Sequence, residues 1–312
     1  MKRLLLGSAA IGAMLAFSAC GGGTVASTPA PPVSTPGPTP APTYTRIDDL
    51  AGNQTFQTAT LTFTVSEDLK LANHTTNNFG SGSVITYNAT NDSYTFTSTG
   101  GTSQTFFPSD SDQVNSDSST MHWDKSVNGS SHNATLTRPV STTGIELSYT
   151  RLGTWKQIDT NSRVQQVEYF ITGVPTVTSD VPTTGTANYN ARIYGYVMVG
   201  DTASSLSFLD SSMDFDVDFA SGGISTVLTF IGARAFSPNS GTNFGTANGT
   251  GMITAGGRGF SGTFNGGIAT GGTFSGAFFG PQAAEFGLAY FVTGDDFLSQ
   301  GLAAGIKTEL LP

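Results

Sequence analysis

Residues 271–285 run Gly271-Gly272-Thr273-Phe274-Ser275-Gly276-Ala277-Phe278-Phe279-Gly280-Pro281-Gln282-Ala283-Ala284-Glu285. In an extended strand Phe274, Gly276 and Phe278 share one face, because successive side chains point to opposite sides. Glycine between inward-facing rings suits a tightly curved sheet, since the missing side chain leaves room for a neighbouring ring. The stretch therefore predicts one strand of a small β-barrel, followed by a turn.

The turn itself has a physical basis in three residues. Gly280 permits a backbone conformation that Phe279 could not adopt, and Pro281 fixes φ directly after it. Glu285 is predicted to accept hydrogen bonds from backbone amides of the turn. We interpret this segment as a determinant of the fold first and as a binding site second.

The same alternation extends outward over residues 184–312. Three carboxylates, Asp214, Asp216 and Asp218, lie opposite an apolar strand face, where they form either a cation site or, as we favour, a solvated outer surface. About eight short strands with turns between them predict a small closed antiparallel barrel. The predicted strands include residues 188–198, 214–219, 224–230, 260–264, 274–278 and 285–292, the last of which closes the series.

Residues 44–183 predict a separate β-rich domain. Residues 60–65 alternate threonine with apolar side chains, and residues 83–97 predict a hairpin that turns at Asn91-Asp92. Residues 145–149 and 167–171 predict two further strands, and residues 108–138 a long polar loop.

A transmembrane barrel is the alternative for the C-terminal half. It requires strands of about 9–11 residues with a continuous apolar outer band. The predicted strands are shorter and carry Asp, Ser, Thr and Asn opposite the aromatic residues. We therefore predict an all-β chain whose barrel is soluble and filled by side chains.

The N-terminus has the composition of a bacterial export signal. Lys2 and Arg3 precede an uncharged apolar run that ends in Ser18-Ala19, and Cys20, the single cysteine of the chain, follows. Residues 1–19 are predicted to be a signal peptide. Residues 20–43 are rich in Gly, Pro, Ser and Thr and predict an extended linker.

Charge excludes several partners. Only 11% of the residues are charged, and loss of Lys2 and Arg3 would change the formal net charge from −9 to −11. Nucleic acids and anionic lipid headgroups are bound through basic patches, which this chain lacks. No nucleic-acid partner is expected.

Two motifs resemble known families. Phe17-Ser18-Ala19-Cys20 resembles a lipobox, which implies a covalent lipid on Cys20 and attachment to the membrane.

Residues 271–285 resemble the last hairpin of the barrel in the transferrin-binding protein B family, with residues 260–264 and 217–220 resembling other strands of it. Residues 149–155, 173–176 and 182–185 resemble single-lobe solute-binding relatives. The residues carried over as a structural barrel-closing motif are Gly276, Phe278, Phe279, Gly280, Pro281, Ala283 and Glu285.

No catalytic or metal-binding constellation is predicted. His74, His122 and His132 all lie in polar, loop-like sequence and are expected to be exposed, although Met121-His122-Trp123 offers one candidate haem-facing patch. The chain has no Gly-x-Ser-x-Gly nucleophile motif and no phosphate-binding loop. We expect no enzyme, no metal and no cofactor other than the lipid on Cys20.

The resemblance implies that residues 44–183 form a β-rich, handle-like domain followed by an eight-stranded barrel. It also implies an outer-membrane lipoprotein, expected at the cell surface of a diderm bacterium. It implies a non-catalytic protein that binds a protein or an iron- or haem-related ligand, such as an iron carrier. A structural envelope lipoprotein on the periplasmic leaflet, without a specific ligand, shares the same sequence features and remains the alternative.

Overall fold

The computed structural model describes residues 42–68, 70–200, 202–206, 211–234 and 237–310. The signal peptide, Cys20 and nearly all of the linker lie outside these residues. The described part contains strands and short 3-10 helices and no α-helix, so the prediction of an all-β fold is confirmed. The 3-10 helices are Ile47–Asp49, Pro108–Asp110, Thr178–Asp180, Pro281–Ala283 and Thr308–Leu310.

Ten strands precede the barrel and form two sheets. The small sheet has the order β1-β4-β5-β6 and the large sheet the order β3-β2-β10-β9-β8-β7. We call the two sheets, together with the segments that connect their strands, the handle. The strands are β1 (Gln54–Gln57), β2 (Ala59–Val65), β3 (Leu71–Asn77), β4 (Val84–Asn88), β5 (Ser93–Thr97), β6 (Ser103–Phe106), β7 (Thr120–Val127), β8 (Ser130–Thr137), β9 (Thr150–Asp159) and β10 (Gln165–Gly173).

The remaining strands form a closed antiparallel barrel of eight strands. β11 pairs with both β13 and β19, which closes the wall, and β12 is an additional strand beside β11 and β14. The strands are β11 (Thr186–Val199), β12 (Thr202–Leu206), β13 (Ser212–Asp218), β14 (Gly223–Arg234), β15 (Ser237–Ile253), β16 (Gly259–Gly267), β17 (Gly271–Phe279), β18 (Glu285–Gly294) and β19 (Phe297–Lys307). The predicted change of domain at residues 183–184 falls between the end of β10 and the start of β11.

Aromatic side chains fill the barrel. Phe215 stacks on Phe286 with ring centroids 4.1 Å apart, and Phe260 lies 5.0 Å from Phe278. Gly276 lies among these rings, and a Cβ atom there would be 2.5 Å from the Phe260 ring. The prediction that glycine leaves room for a neighbouring ring is therefore confirmed.

The large handle sheet packs on the outside of the barrel wall. Its apolar face, with Leu61, Val167 and Ile171, forms one buried cluster with Ala277 and Ala289 of β17 and β18. Small side chains on the outer wall let the two backbones approach closely. A second cluster lies between the two handle sheets and contains Phe96, Trp123, Trp155 and Phe170. Residues 41–312 thus form one compact unit.

The predicted strand over residues 145–149 is wrong. β9 begins at Thr150, and the preceding segment carries only an isolated bridge between Val140 and Glu146. The backbone amides of Ser148 and Tyr149 donate to a side chain of the barrel instead of to a neighbouring strand. Apolar alternation alone could not reveal this tertiary partner.

The predicted loop over residues 108–138 is also wrong, because it contains the hairpin β7–β8. Asn128 and Gly129 join the two strands with φ values of 50° and 78°, as a two-residue hairpin turn requires. Trp123, Ala134 and Leu136 are buried beneath the small sheet. The Asn-Gly pair was the sequence feature that should have indicated this hairpin.

Two details of the barrel differ from expectation. β19 follows β18, so residues 285–292 do not close the series and the Gly-Pro turn does not join the last two strands. Residues 297–307 include five small residues, Ser299, Gly301, Ala303, Ala304 and Gly305, which hid their alternation. The barrel strands are also longer than predicted, up to 17 residues in β15. Strand length therefore does not support a soluble barrel, whereas the packed interior and the exposed Asp214 and Asp216 do.

A search for membrane-spanning helices among the described residues finds none of sufficient length and apolarity.

Candidate functional site

The barrel-closing motif lies where the handle meets the barrel, and Gly280 is its central residue. Its φ is 69°, in the left-handed region that favours glycine. Its N–H donates to the Val174 carbonyl at 3.0 Å, and its carbonyl accepts from Thr176 Oγ1 at 2.7 Å. A Cβ atom at this position would lie 2.4 Å from the Tyr149 ring. The turn is therefore built to fit the handle.

Two side chains of barrel strands hold the rest of the turn by hydrogen bonds. Tyr189 donates its hydroxyl to the Ala283 carbonyl at 2.6 Å, and Lys307 Nζ donates to the Gln282 carbonyl at 2.7 Å. Gln282 and Ala283 both have positive φ, 50° and 57°. Pro281, by contrast, is exposed. These bonds satisfy carbonyls that a tight turn would otherwise leave unpaired.

Phe278 and Phe279 divide their contacts between the two parts of the molecule. Phe278 belongs to the barrel core, and Phe279 packs against the handle, with its ring centroid 5.9 Å from that of Phe79. Adjacent residues of a strand point to opposite faces, so this pair connects the two cores through the wall.

Glu285 accepts backbone amides as predicted, but they do not belong to the turn. Its carboxylate accepts from Ser148 N at 2.6 Å, Tyr149 N at 3.0 Å and Thr150 Oγ1 at 2.9 Å. All three donors belong to the handle. Burial raises the pKa of Glu285, and these hydrogen bonds oppose the shift. Glu285 therefore clamps the handle onto the barrel.

The interface between the handle and the barrel is called the joint from here on. The segment that follows the predicted linker also contacts this joint. Tyr44 donates its hydroxyl to Asp180 Oδ2 at 2.8 Å and accepts from Val177 N at 2.9 Å. The same Asp180 oxygen accepts from Gln282 N at 2.9 Å. The entry of the chain into the handle is thus bonded to the barrel-closing turn.

The prediction of exposed loop histidines is wrong. All three lie in strands, and His132 is only 8% exposed. His74 is half-buried at the joint, where it stacks on Phe291 with centroids 3.9 Å apart and bonds Gln300 Oε1 through Nε2 at 2.8 Å. Burial lowers the pKa of both His74 and His132. Their polar sequence neighbours concealed the strands β3, β7 and β8.

Neither of the predicted ligand sites forms. His122 lies on the face of β7 opposite Met121 and Trp123, since neighbouring strand residues alternate, so the three side chains make no single haem-facing patch. Asp214 and Asp216 are exposed on the outer wall while Phe215 points inward, which confirms the solvated-face interpretation. Among the described residues no group of His, Cys, Asp and Glu could hold a metal.

Glu168 is a buried acid that the sequence did not single out. It lies opposite Trp155 across β10 and β9 and is 6% exposed. Within the described structure, Glu168 Oε1 and Trp155 Nε1 have no hydrogen-bond partner. Burial raises the pKa of Glu168 to about 7, although a hydrogen bond with Ser83 opposes the shift.

Replacing Glu168 with glutamine should stabilise the protein above neutral pH. The pKa in the folded protein lies above its ordinary value of 4.5, so the unfolded chain binds fewer protons between these values. The contribution of Glu168 to the free energy of unfolding is fully present below about pH 4.5. It is lost as the pH rises through 7, by about 3 kcal/mol in all. Urea unfolding at pH 4 and pH 8 should show the variant equal to the wild type at the lower pH and more stable at the higher.

Glu67→Gln is the matched control, because Glu67 is 64% exposed. It should keep the pH dependence of the wild type. A wild-type protein whose stability does not fall between pH 5 and pH 8 would contradict this role of Glu168.

The fold and the joint define a class: a β-rich handle clamped onto the wall of a filled, eight-stranded barrel. Residues 181–305 match the family of C-lobe and N-lobe β-barrels of Tf-binding protein B. Transferrin-binding protein B of Haemophilus influenzae is 29% identical over 161 residues, which cover 46% of this chain and 25% of that protein. The chain thus has a transferrin-binding protein B-like fold.

The transferrin-binding protein B structures from Haemophilus parasuis Hp5 and serogroup B Neisseria meningitidis have TM-scores of 0.46 and 0.43 at 19% and 20% identity. Each match covers 80% of this chain, and 45% and 43% of the two relatives. The chain therefore spans less than half the length of these proteins.

Proposed function

We propose that this chain is an outer-membrane lipoprotein, anchored through Cys20 and displayed at the cell surface, that binds an iron-carrying protein or a haem-related ligand without catalysis. The observation that carries the proposal is the match of residues 181–305 to the barrels of Tf-binding protein B. The lipobox and the long linker support the anchor.

The chain enters at one end of the barrel, and the opposite end is the proposed binding end. The chain enters beside the barrel-closing turn, where Tyr44, Asp180 and Gln282 are bonded together. The opposite end carries the β18–β19 turn with Asp295 and Asp296, next to Phe244, Ile268 and Phe297. Apolar side chains beside carboxylates suit a partner with a basic surface.

Digestion of intact cells by an added protease should remove the protein, and a lysed sample should be digested to the same extent. A Cys20→Ala variant is the matched control, since it cannot carry the lipid and should be lost from the membrane fraction. Protection on intact cells but not after lysis would instead favour the periplasmic, structural alternative.

A capture experiment tests which class of ligand the protein binds. The full chain on beads should retain iron-loaded carrier proteins or haem-loaded globins from host fluids, and Asp295→Lys with Asp296→Lys should lower retention at least ten-fold. The same two changes at Asp214 and Asp216 on the outer wall are the control and should leave retention unchanged. Failure to retain any such carrier would contradict the proposal.

A further inference from the structure

A cleft of about 330 Å³ opens between the two handle sheets. Leu50, from the segment that follows the linker, forms one side of it. Phe56 and Ile85 of the small sheet and Leu136 of the large sheet form the walls. An apolar cleft with a few convergent polar groups is the usual form of a small-molecule site.

The walls of the cleft offer aromatic and thioether surfaces to a flat ligand. The rings of Tyr87 and Tyr94 lie 4.9 Å apart, and both residues are half-buried. Met121 lies across the cleft and is 39% exposed. Sulfur and ring faces both bind aromatic groups well. A planar apolar body therefore fits this surface better than a branched polar one.

The polar end of the cleft is formed by two arginines that share one acid. Arg138 contacts Asp48 at 2.7 Å, and Arg151 also bonds Asp48. Arg151 is 8% exposed and donates further to the carbonyls of Leu147 and Thr150. Asp48 is the single carboxylate among the lining residues, and Glu146, outside the lining, pairs with Arg138 at 2.8 Å. Two guanidinium groups therefore line this end of the cleft.

Both guanidinium groups retain donors for a ligand. Each carries five N–H groups, more than the described bonds to Asp48, Glu146 and the two carbonyls use. Arg138 Nε also has no partner among the described residues, but it is buried. A ligand would therefore bind the terminal nitrogens of this side chain, which is 27% exposed. Planar guanidinium groups bind carboxylates through paired hydrogen bonds.

We propose that this handle cleft binds a small aromatic carboxylate. The aromatic ring of the ligand lies between Tyr94 and Met121. Its carboxylate accepts hydrogen bonds from Arg138 and Arg151, beside Asp48. An ammonium ligand would face two guanidinium groups, and a neutral amide would form weaker hydrogen bonds. The site is separate from the barrel end to which the protein partner is assigned, so either proposal can fail alone.

Calorimetric titration of the detergent-solubilised full chain, with a detergent blank, tests which polar group of the ligand the cleft prefers. Three probes share one ring: 2-naphthoate, 2-naphthamide and 2-naphthylmethylammonium. Naphthoate should bind at least ten-fold more tightly than naphthamide, and the ammonium should not bind. Equal affinities, a preference for the ammonium, or no binding of naphthoate would overturn the proposal.

Variants locate the binding. Arg138→Gln should remove the preference for the carboxylate, and Met121→Asp should weaken naphthoate at least ten-fold while leaving the arginines in place. Arg163→Gln is the control, since Arg163 is 74% exposed and pairs with Glu67 outside the cleft. Unchanged naphthoate affinity in a folded Met121→Asp variant would place the ligand elsewhere and overturn the assignment.

Discussion

Replacing Glu285 with alanine should lower the free energy of unfolding by about 3–5 kcal/mol. The change leaves the amides of Ser148 and Tyr149 and the hydroxyl of Thr150 without their acceptor, and each buried donor left unpaired costs about 1–3 kcal/mol. Urea unfolding followed by tryptophan fluorescence measures the loss in the handle, because Trp123 and Trp155, the two tryptophans of the chain, both lie in it.

Two further variants separate the hydrogen bonds from other effects. Glu285→Gln keeps the shape and one acceptor oxygen, so it should lose about 1–3 kcal/mol, less than alanine. Glu67→Ala removes an exposed carboxylate that pairs with Arg163 and should change stability by less than about 0.5 kcal/mol. If alanine at position 285 proved as harmless as alanine at position 67, Glu285 would not be a clamp.

Replacing Gly280 with alanine should destabilise the protein by about 2–5 kcal/mol. A left-handed φ costs a residue with a Cβ about 1–2 kcal/mol. The new methyl group would also lie 2.4 Å from the Tyr149 ring, so the handle or the turn must shift, and such overpacking typically costs about 1–3 kcal/mol. Chemical unfolding of the purified full chain measures the sum.

Gly185→Ala isolates the conformational part of this loss. Gly185 has a φ of 80°, and an added Cβ there meets no atom within 4 Å. This control should lose only about 1–2 kcal/mol. Equal losses at the two positions would show that the contact with Tyr149 does not constrain the joint.

Several strand and turn predictions succeeded where the information is local, although the hairpin that turns at Asn128-Gly129 was missed. The aromatic–glycine alternation of β17 and the polar–apolar alternation of β13 both indicated their strands and faces. Another prediction failed because the partner is distant: residues 145–149 look like a strand, but the amides of Ser148 and Tyr149 donate to Glu285. The predictions also failed at β19, where small residues are buried on both faces because the handle covers the outer wall.

The sequence by itself determined the all-β class, the barrel and the position of its closing turn. Period-two alternation and the φ preferences of Gly280 and Pro281 are properties of the chain within a few residues. Only the tertiary structure decided that Glu285 bonds the handle, that His74 stacks at the joint and that Arg138 and Arg151 share Asp48. Each of these contacts joins elements far apart in the chain, so its geometry depends on how the sheets pack rather than on any local pattern.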